Sequence, residues 1–306
     1  MKNVYLFQVN YQMGHGQYTS LWLPYSVASI WAYVEQFDEI KNNFHVKDCI
    51  FKREEFKDVI DRMEDPDVCL FSHYLWNDNY NLELAKLIKE RWPNVHIVFG
   101  GPQVDETASN FLLVNPHVDT VVINEGEVSL HTLLKDYLED DVKPIYHVAR
   151  RVQLEGLPSP FTDSNILQKI VDENPATKWA TCIETNRGCP FKCSFCDWGS
   201  LTQSKITKFD LDKVYKEWDW IVNNGIEYVH IADANFGVFY ERDKEIVDYI
   251  VKCKKDTDFP HNVSATWYKN AAEKMIGLAK ILEDVNLNKG FTLSVQSMNE
   301  ETLDSI

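Results

Sequence analysis

The sequence predicts an α/β protein of two parallel-sheet domains, the first doubly wound and the second a series of strand and helix units. Three observations carry this expectation. Apolar strand-like runs alternate with helix-period segments through both halves, an aperiodic proline-bearing stretch separates the halves, and the 306 residues approach the size at which a single core divides.

In the N-terminal half the clearest strands are NVYLFQV, DVCLFS, VHIVFGG and VDTVVIN. Runs this uniformly apolar suit a parallel sheet covered by helices. Between two of them, NDNYNLELAKLIKERWP sets Tyr80, Leu84, Leu87 and Ile88 on one helical face, with Asn77 or Asp78 as cap and Pro93 as stop. That pattern predicts a crossover helix. The span RRVQLEGLPSPFTDSNILQKIVDENPATK carries three prolines and no sustained period, so domains are expected at 1–149 and 179–306 with a linker at 150–178.

Beyond the linker the alternation resumes through WATCIETN, IEYVHIADANFG, HNVSATWY and GFTLSVQS, about four strand and helix units. Over 210–222, Leu211, Val214, Tyr215, Trp218, Ile221 and Val222 form one apolar stripe, closed by Gly225. Repeated units of this kind build barrels or open sheets whose ligands sit at the C-terminal strand ends. The strand tips are therefore where chemistry is expected.

Composition narrows the function classes. A net charge of −16 without clustered Lys or Arg opposes nucleic-acid binding, leaving a small molecule or a protein as the expected substrate. No apolar stretch is long enough to cross a bilayer, and the first residues form no signal-type h-region. A cytoplasmic, reducing setting is expected, where clustered cysteines mean metal or catalysis more often than disulfides.

Three of the seven cysteines fall in RGCPFKCSFCDWGS: Cys189, Cys193 and Cys196. Cys49, Cys69 and Cys253 are single residues in apolar patterns and read as buried thiols, and Cys182 reads as core of the preceding strand. Structural zinc prefers four ligands from two paired knuckles, and the second knuckle is missing. Three thiolates on a four-iron cluster leave one iron open. Zinc and inert cysteines remain the alternatives on spacing alone.

The C-x3-C-x2-C spacing, with aromatic Phe195 before its last cysteine, resembles the signature of the radical S-adenosylmethionine (radical SAM) superfamily. The resemblance implies that Cys189, Cys193 and Cys196 ligate a [4Fe-4S] cluster, that Phe195 lies against the SAM adenine, and that an external electron donor feeds the cluster. It further implies that the second strand's tip, Asp233 and Asn235, offers acceptors to the SAM ammonium group. Thr266 and Tyr268 stand at the third tip, and Ser294, Gln296 and Ser297 at the fourth, where Ser297 with Glu300 also reads as a capping box. Arg187 could offset the cluster's charge or pair with an acid.

In the first half, Ser72, His73 and Tyr74, then Gly100, Gly101 and Pro102, then Glu125, Gly126 and Glu127 mark successive strand ends. This order, ahead of the cysteine loop, resembles the subclass of radical SAM enzymes with a cobalamin-binding, Rossmann-like domain. Ser72, Tyr74, Gly100, Gly101, Glu125 and Gly126 become cofactor contacts, and methyl transfer to an unreactive carbon becomes an expected reaction. One departure stands out: MGHGQY has Met13 and Tyr18 where the axial-histidine motif D-x-H-x-x-G has Asp and Gly, so His15 is read as a loop residue.

The family's core is a partial barrel of six units, whereas this sequence reaches only the fourth. An incomplete radical SAM (β/α) barrel is therefore expected, either in a fragment or completed by a second chain. The competing reading is a noncatalytic iron–sulfur or zinc-binding module.

Overall fold

The computed structural model describes the chain except residues 14–18, 105–107, 148–151, 192–195, 197–204, 270–271, 289–296, 300 and 302–306, and the side chains of residues 12, 13 and 272. The described residues divide into two compact units. The first comprises Met1–Met13, Leu21–Gln153 and Leu157–Pro175; the second is built mainly from Ala176 onward.

The first unit runs β1 (Lys2–Phe7), β2 (Gln12–Met13), β3 (Ser20–Trp22), α1 (Tyr25–Glu35), α2 (Asp38–Lys41), β4 (Phe44–Ile50), α3 (Phe56–Arg62), β5 (Val68–Ser72), α4 (Asp78–Arg91), β6 (His96–Gly100), α5 (Ser109–Val114), β7 (Thr120–Val122), α6 (Gly126–Leu138), β8 (Ile145–Tyr146) and α7 (Ile166–Glu173). Its six-stranded sheet has the order β4-β1-β5-β6-β7-β8, parallel throughout. The strand order reverses between β1 and β5, which opens a crevice at their C-terminal ends.

The four expected strands correspond to β1, β5, β6 and β7. Each is apolar almost without interruption because both faces are covered: Val4, Tyr5, Leu6 and Phe7 are all at most 2% exposed. Register places Phe7 beside Phe71, and Phe71 beside Phe99. Their rings stack at centroid separations of 4.1 and 4.7 Å, so three adjacent strands are tied by one aromatic ladder just below their C-terminal tips. His73 extends it, edge-on to Phe99 and Phe111.

The crossover helix α4 buries Tyr80, Leu84 and Ile88 as its period predicts, while Leu87 is only half-buried and Asn81 and Ala85 complete the face. Asn77 precedes the helix without making a side-chain cap. Its amide instead turns inward, donating to the carbonyls of Val9 and Ser72 and accepting from the Tyr74 amide. The satisfied partners are thus the strand tips rather than the helix end.

The aperiodic stretch between the domains holds α7, a two-turn helix too short for the repeat to stand out in sequence. It belongs to the first unit, where Ser164 donates to Glu35 at 3.1 Å and Phe161 lies 5.8 Å from the Tyr25 ring.

The second unit comprises β9 (Trp179–Ile183), β10 (Asn186–Arg187), β11 (Thr207–Lys208), α8 (Leu211–Asn223), β12 (Tyr228–Phe236), α9 (Tyr240–Thr257), β13 (Asn262–Trp267) and α10 (Ala272–Glu283). Here β12 lies between β9 and β13 and pairs with both in parallel. These are three of the four expected strands; most of GFTLSVQS lies outside the described residues. Helix α8 buries Val214, Trp218, Ile221 and Val222, and Gly225 follows it at φ +64°. Its buried face also holds Glu217, paired with Lys213 at 3.1 Å, an acidic residue that the apolar stripe did not include.

The aromatic ladder sets the stability of the first sheet. Phe71→Ala is expected to cost about 3–5 kcal/mol, measured by chemical denaturation, whereas Phe71→Leu retains most of the volume and should cost clearly less.

Candidate functional site

The second unit's site begins with the alternation of β12. Val229, Ile231, Asp233 and Asn235 share one face and are all buried, because successive strand residues point to opposite sides. Regular pairing with β13 breaks between Ile231 and Phe236. The face that is apolar along the paired strand thus becomes polar at its tip without leaving the interior.

Asp233 is 1% exposed and receives four donors from two residues of the turn after β9. The Thr185 amide lies at 2.7 Å, the Asn186 amide at 3.1 Å and Asn186 Nδ2 at 2.6 Å, and the Thr185 hydroxyl makes a very short contact. Burial nevertheless outweighs these donors and raises the carboxyl to about 7. Arg242 grips the same turn from α9, donating to the carbonyls of Thr185 at 3.0 Å and Phe209 at 2.6 Å.

This turn leads directly into the cysteine loop. Gly188 adopts φ +110°, and a side chain there would collide with the Lys205 backbone, so glycine is required where the chain enters Cys189. Cys189 is 8% exposed and its Sγ accepts a hydrogen bond from Asn235 Nδ2 at 3.1 Å. Cys196 is half-buried with a free thiol. Phe191 stacks on Tyr268, their centroids 5.8 Å apart, and carries Lys269 over its ring at 4.2 Å. The first residues of the loop, Cys189 and Phe191, are therefore seated on the tips of β12 and β13.

Arg187 pairs with Glu184 through contacts of 2.8–3.1 Å. Ser297 Oγ accepts from the Asn299 amide at 3.0 Å, while Glu300, its expected capping-box partner, lies outside the described residues. Cys193, Phe195, Ser294 and Gln296 lie outside the described residues, as does His15. Cys49, Cys69 and Cys253 are buried, and desolvation pushes all three thiols above the usual range. Cys182 sits in β9 beside His230 of β12, its thiol likewise raised by burial. Cys189, a buried sulfur accepting an amide hydrogen bond, and Cys196, a second free thiol, are of the donor type that holds an iron–sulfur centre.

In the first unit the predicted residues collect at the C-terminal edge of the sheet. Ser72 is buried, and its carbonyl accepts from Asn77 and Asn81, each at 3.0 Å. The Tyr74 hydroxyl lies 2.9 Å from Ser26 Oγ, and its ring stacks on Trp76 at 4.4 Å. The Gly100 carbonyl accepts from the His73 amide at 2.7 Å. Gly101 has φ +123°, and a Cβ there would stand 2.6 Å from the His73 carbonyl oxygen. Gly126 opens α6 against Ile30, and Glu125 accepts from the Val152 amide at 2.9 Å.

Sequence patterns did not mark the most exposed part of this edge. Tyr11, Leu75 and Trp76 are 49%, 78% and 42% exposed; Tyr11 stands edge-on to Trp76 at 5.8 Å. They follow β1 and β5, at the switch point of the strand order, and form an open aromatic shelf suited to a broad, largely apolar ligand. The signal was present in YLWN, but exposure is a tertiary property.

Two substitutions test this geometry. Gly101→Ala is expected to destabilise the chain by about 1–3 kcal/mol through backbone strain against His73, read by denaturation. Asp233→Asn turns an amide donor toward donors already in place and should cost about 1–3 kcal/mol. The wild-type carboxyl ionises at 3.8 when unfolded and at about 7 when folded, so the folded state holds more protons in that window. Its contribution to stability therefore falls as pH rises from 3.8 to about 7, and the variant should lose that slope in pH-dependent denaturation.

Comparison with known proteins agrees with both halves of this description. Residues 19–134 match the B12 binding domain family, and residues 183–306 match the radical SAM superfamily. The cobalamin-dependent radical SAM methyltransferase TokK of Streptomyces tokunonensis is 33% identical over 97% of this chain and 46% of its own length. The 2-(S-pantetheinyl)-carbapenam-3-carboxylate methyltransferase of Streptantibioticus cattleyicolor is 31% identical over 93% of this chain and 44% of its own. The chain thus spans about half the length of these relatives. Among solved structures, the cobalamin-dependent SAM radical enzyme OxsB superposes with a TM-score of 0.69 at 16% identity, over 99% of this chain and 45% of that one. The radical SAM methyltransferase TsrM from Kitasatospora setae gives 0.62 at 14%, over 94% and 66%. The B12 binding domain, the radical SAM domain and their order together place this chain in the radical SAM superfamily, among the relatives of the cobalamin-dependent methyltransferases.

Proposed function

We propose that this chain bears the two cofactor sites of a cobalamin-dependent radical SAM methyltransferase that acts on an unreactive carbon of a small molecule. The observation that carries the reading is the seating of Cys189, the first cysteine of the loop, at the tip of β12, where it is buried against Asn235. The sheet ahead of it ends in an open aromatic shelf at its own switch point. Cys189, Cys193 and Cys196 would hold a [4Fe-4S] cluster, which supplies the electron that cleaves SAM, and the shelf of the first unit would hold cobalamin, which supplies the methyl group.

The chain's own residues position these groups. Asp233 and Arg242 fix the turn from which Cys189 emerges, so that thiol reaches its place without a further ordering cost when the cluster is loaded. An amide can donate and accept at once, so Asn235 would accept the SAM ammonium group through Oδ1 while Nδ2 stays on Cys189. Tyr11, Leu75 and Trp76 would lie against the corrin, excluding water from its face. No described helix is long and apolar enough to cross a membrane.

The decisive experiment is anaerobic reconstitution with iron and sulfide. A brown protein that releases 5'-deoxyadenosine from SAM under reducing conditions is the expected result; a colourless protein holding stoichiometric zinc would overturn the reading in favour of a structural metal module. Added hydroxocobalamin should remain with the chain through desalting. Trp76→Ala should weaken that binding about tenfold, equivalent to about 1.4 kcal/mol of lost aromatic contact, as followed by absorbance titration.

A further inference from the structure

The contact between Asn235 and Cys189 has a consequence beyond holding a loop. Both residues are nearly sealed from solvent, at 5% and 8% exposure, and Nδ2 stands 3.1 Å from Sγ, inside the range of an N–H···S hydrogen bond. The amide reaches this point because Asn235 continues the buried face of Val229, Ile231 and Asp233, and because Asp233 two residues earlier is fastened to the turn that delivers Cys189. Sulfur and donor are thus located by the same strand.

Two nearby arginines have partners of their own. Arg187, two residues before Cys189, is paired with Glu184, and Arg242 serves backbone carbonyls and Asp243. Among the described residues, Asn235 brings a neutral amide dipole to the Cys189 sulfur.

We propose that Asn235 is a positioning residue that tunes the electron affinity of the centre Cys189 would hold, a role that rests on the reading of Cys189 as a cluster ligand. Adding one electron to an iron–sulfur centre increases negative charge on its thiolate sulfurs. A hydrogen bond donated to one of them is stronger in the reduced state than in the oxidised state, and it raises the reduction potential. The dry setting magnifies this, because no water competes for the sulfur. The amide thus makes the centre easier to reduce by an external donor without adding a charge to the site.

The test is an EPR-monitored redox titration of the anaerobically reconstituted chain beside Asn235→Leu and Asn235→Asp. Leucine keeps the volume and removes the donor; aspartate keeps the shape and replaces the donor with a negative oxygen. At equal iron content, the leucine variant is expected to be about tenfold harder to reduce, which for a one-electron couple is a 59 mV lower midpoint. At a pH where its carboxyl is ionised, the aspartate variant should fall further, and it supplies the answer if leucine does not fold. Potentials unchanged from wild type in iron-loaded variants would overturn the role of Asn235 while leaving the cluster standing. A wild-type chain that takes up no iron would instead overturn the cluster assignment itself, so the two failures are distinct.

Discussion

A single carboxylate buried at the tip of β12 organises the second unit. Asp233 gathers two backbone amides, a hydroxyl and a side-chain amide from Thr185 and Asn186, and these two residues begin the path to Cys189. Removing a carboxylate from water is costly, which is why its ionisation is pushed upward even with four donors in place. What the burial secures is position: the turn cannot move relative to β12 without exposing or orphaning those donors. Arg242 closes the same turn by donating to the carbonyls of Thr185 and Phe209. The location of Cys189, and hence its contact with Asn235, follows from this anchor.

The first unit solves the same problem with different materials. Its strand tips are held from below by the Phe7, Phe71 and Phe99 ladder and from above by Asn77, which ties the ends of β1 and β5 together through Val9 and Ser72. Gly101 lets the chain pass against the His73 carbonyl. The result is a rigid edge that leaves Tyr11, Leu75 and Trp76 in solvent. Large apolar side chains kept exposed beside a well-packed edge suit a broad, largely apolar ligand.

Several of these features could be read in advance and several could not. Four of the six strands of the first sheet were legible because uninterrupted apolar runs demand cover on both faces, and α4 because Tyr80, Leu84 and Ile88 recur at helical spacing; the edge strands β4 and β8 were not. The cysteine loop was legible because metal-type chemistry requires particular atoms at short sequence separation, and Cys189 duly stands at a strand end. Helix α7 was not legible, since two turns give too few repeats. Asp233 and Asn235 were marked as polar groups ending an apolar strand, but whether their partners would be ligand or protein was not contained in the strand. Asn77 likewise carried the signature of a cap, and its amide found strand-tip carbonyls instead.

By itself, then, the sequence determined what depends on neighbours along the chain: strand and helix periods, the glycines needed for particular turns, the cysteine spacing, and the family that these motifs mark. Only the tertiary structure decided the register that stacks Phe71 between Phe7 and Phe99, the four donors on Asp233, the amide on the Cys189 sulfur and the exposure of Trp76. The physical reason is separation. Thr185 and Asp233 are 48 residues apart, and their contact is chosen by the packing of whole strands and helices, which no local pattern encodes.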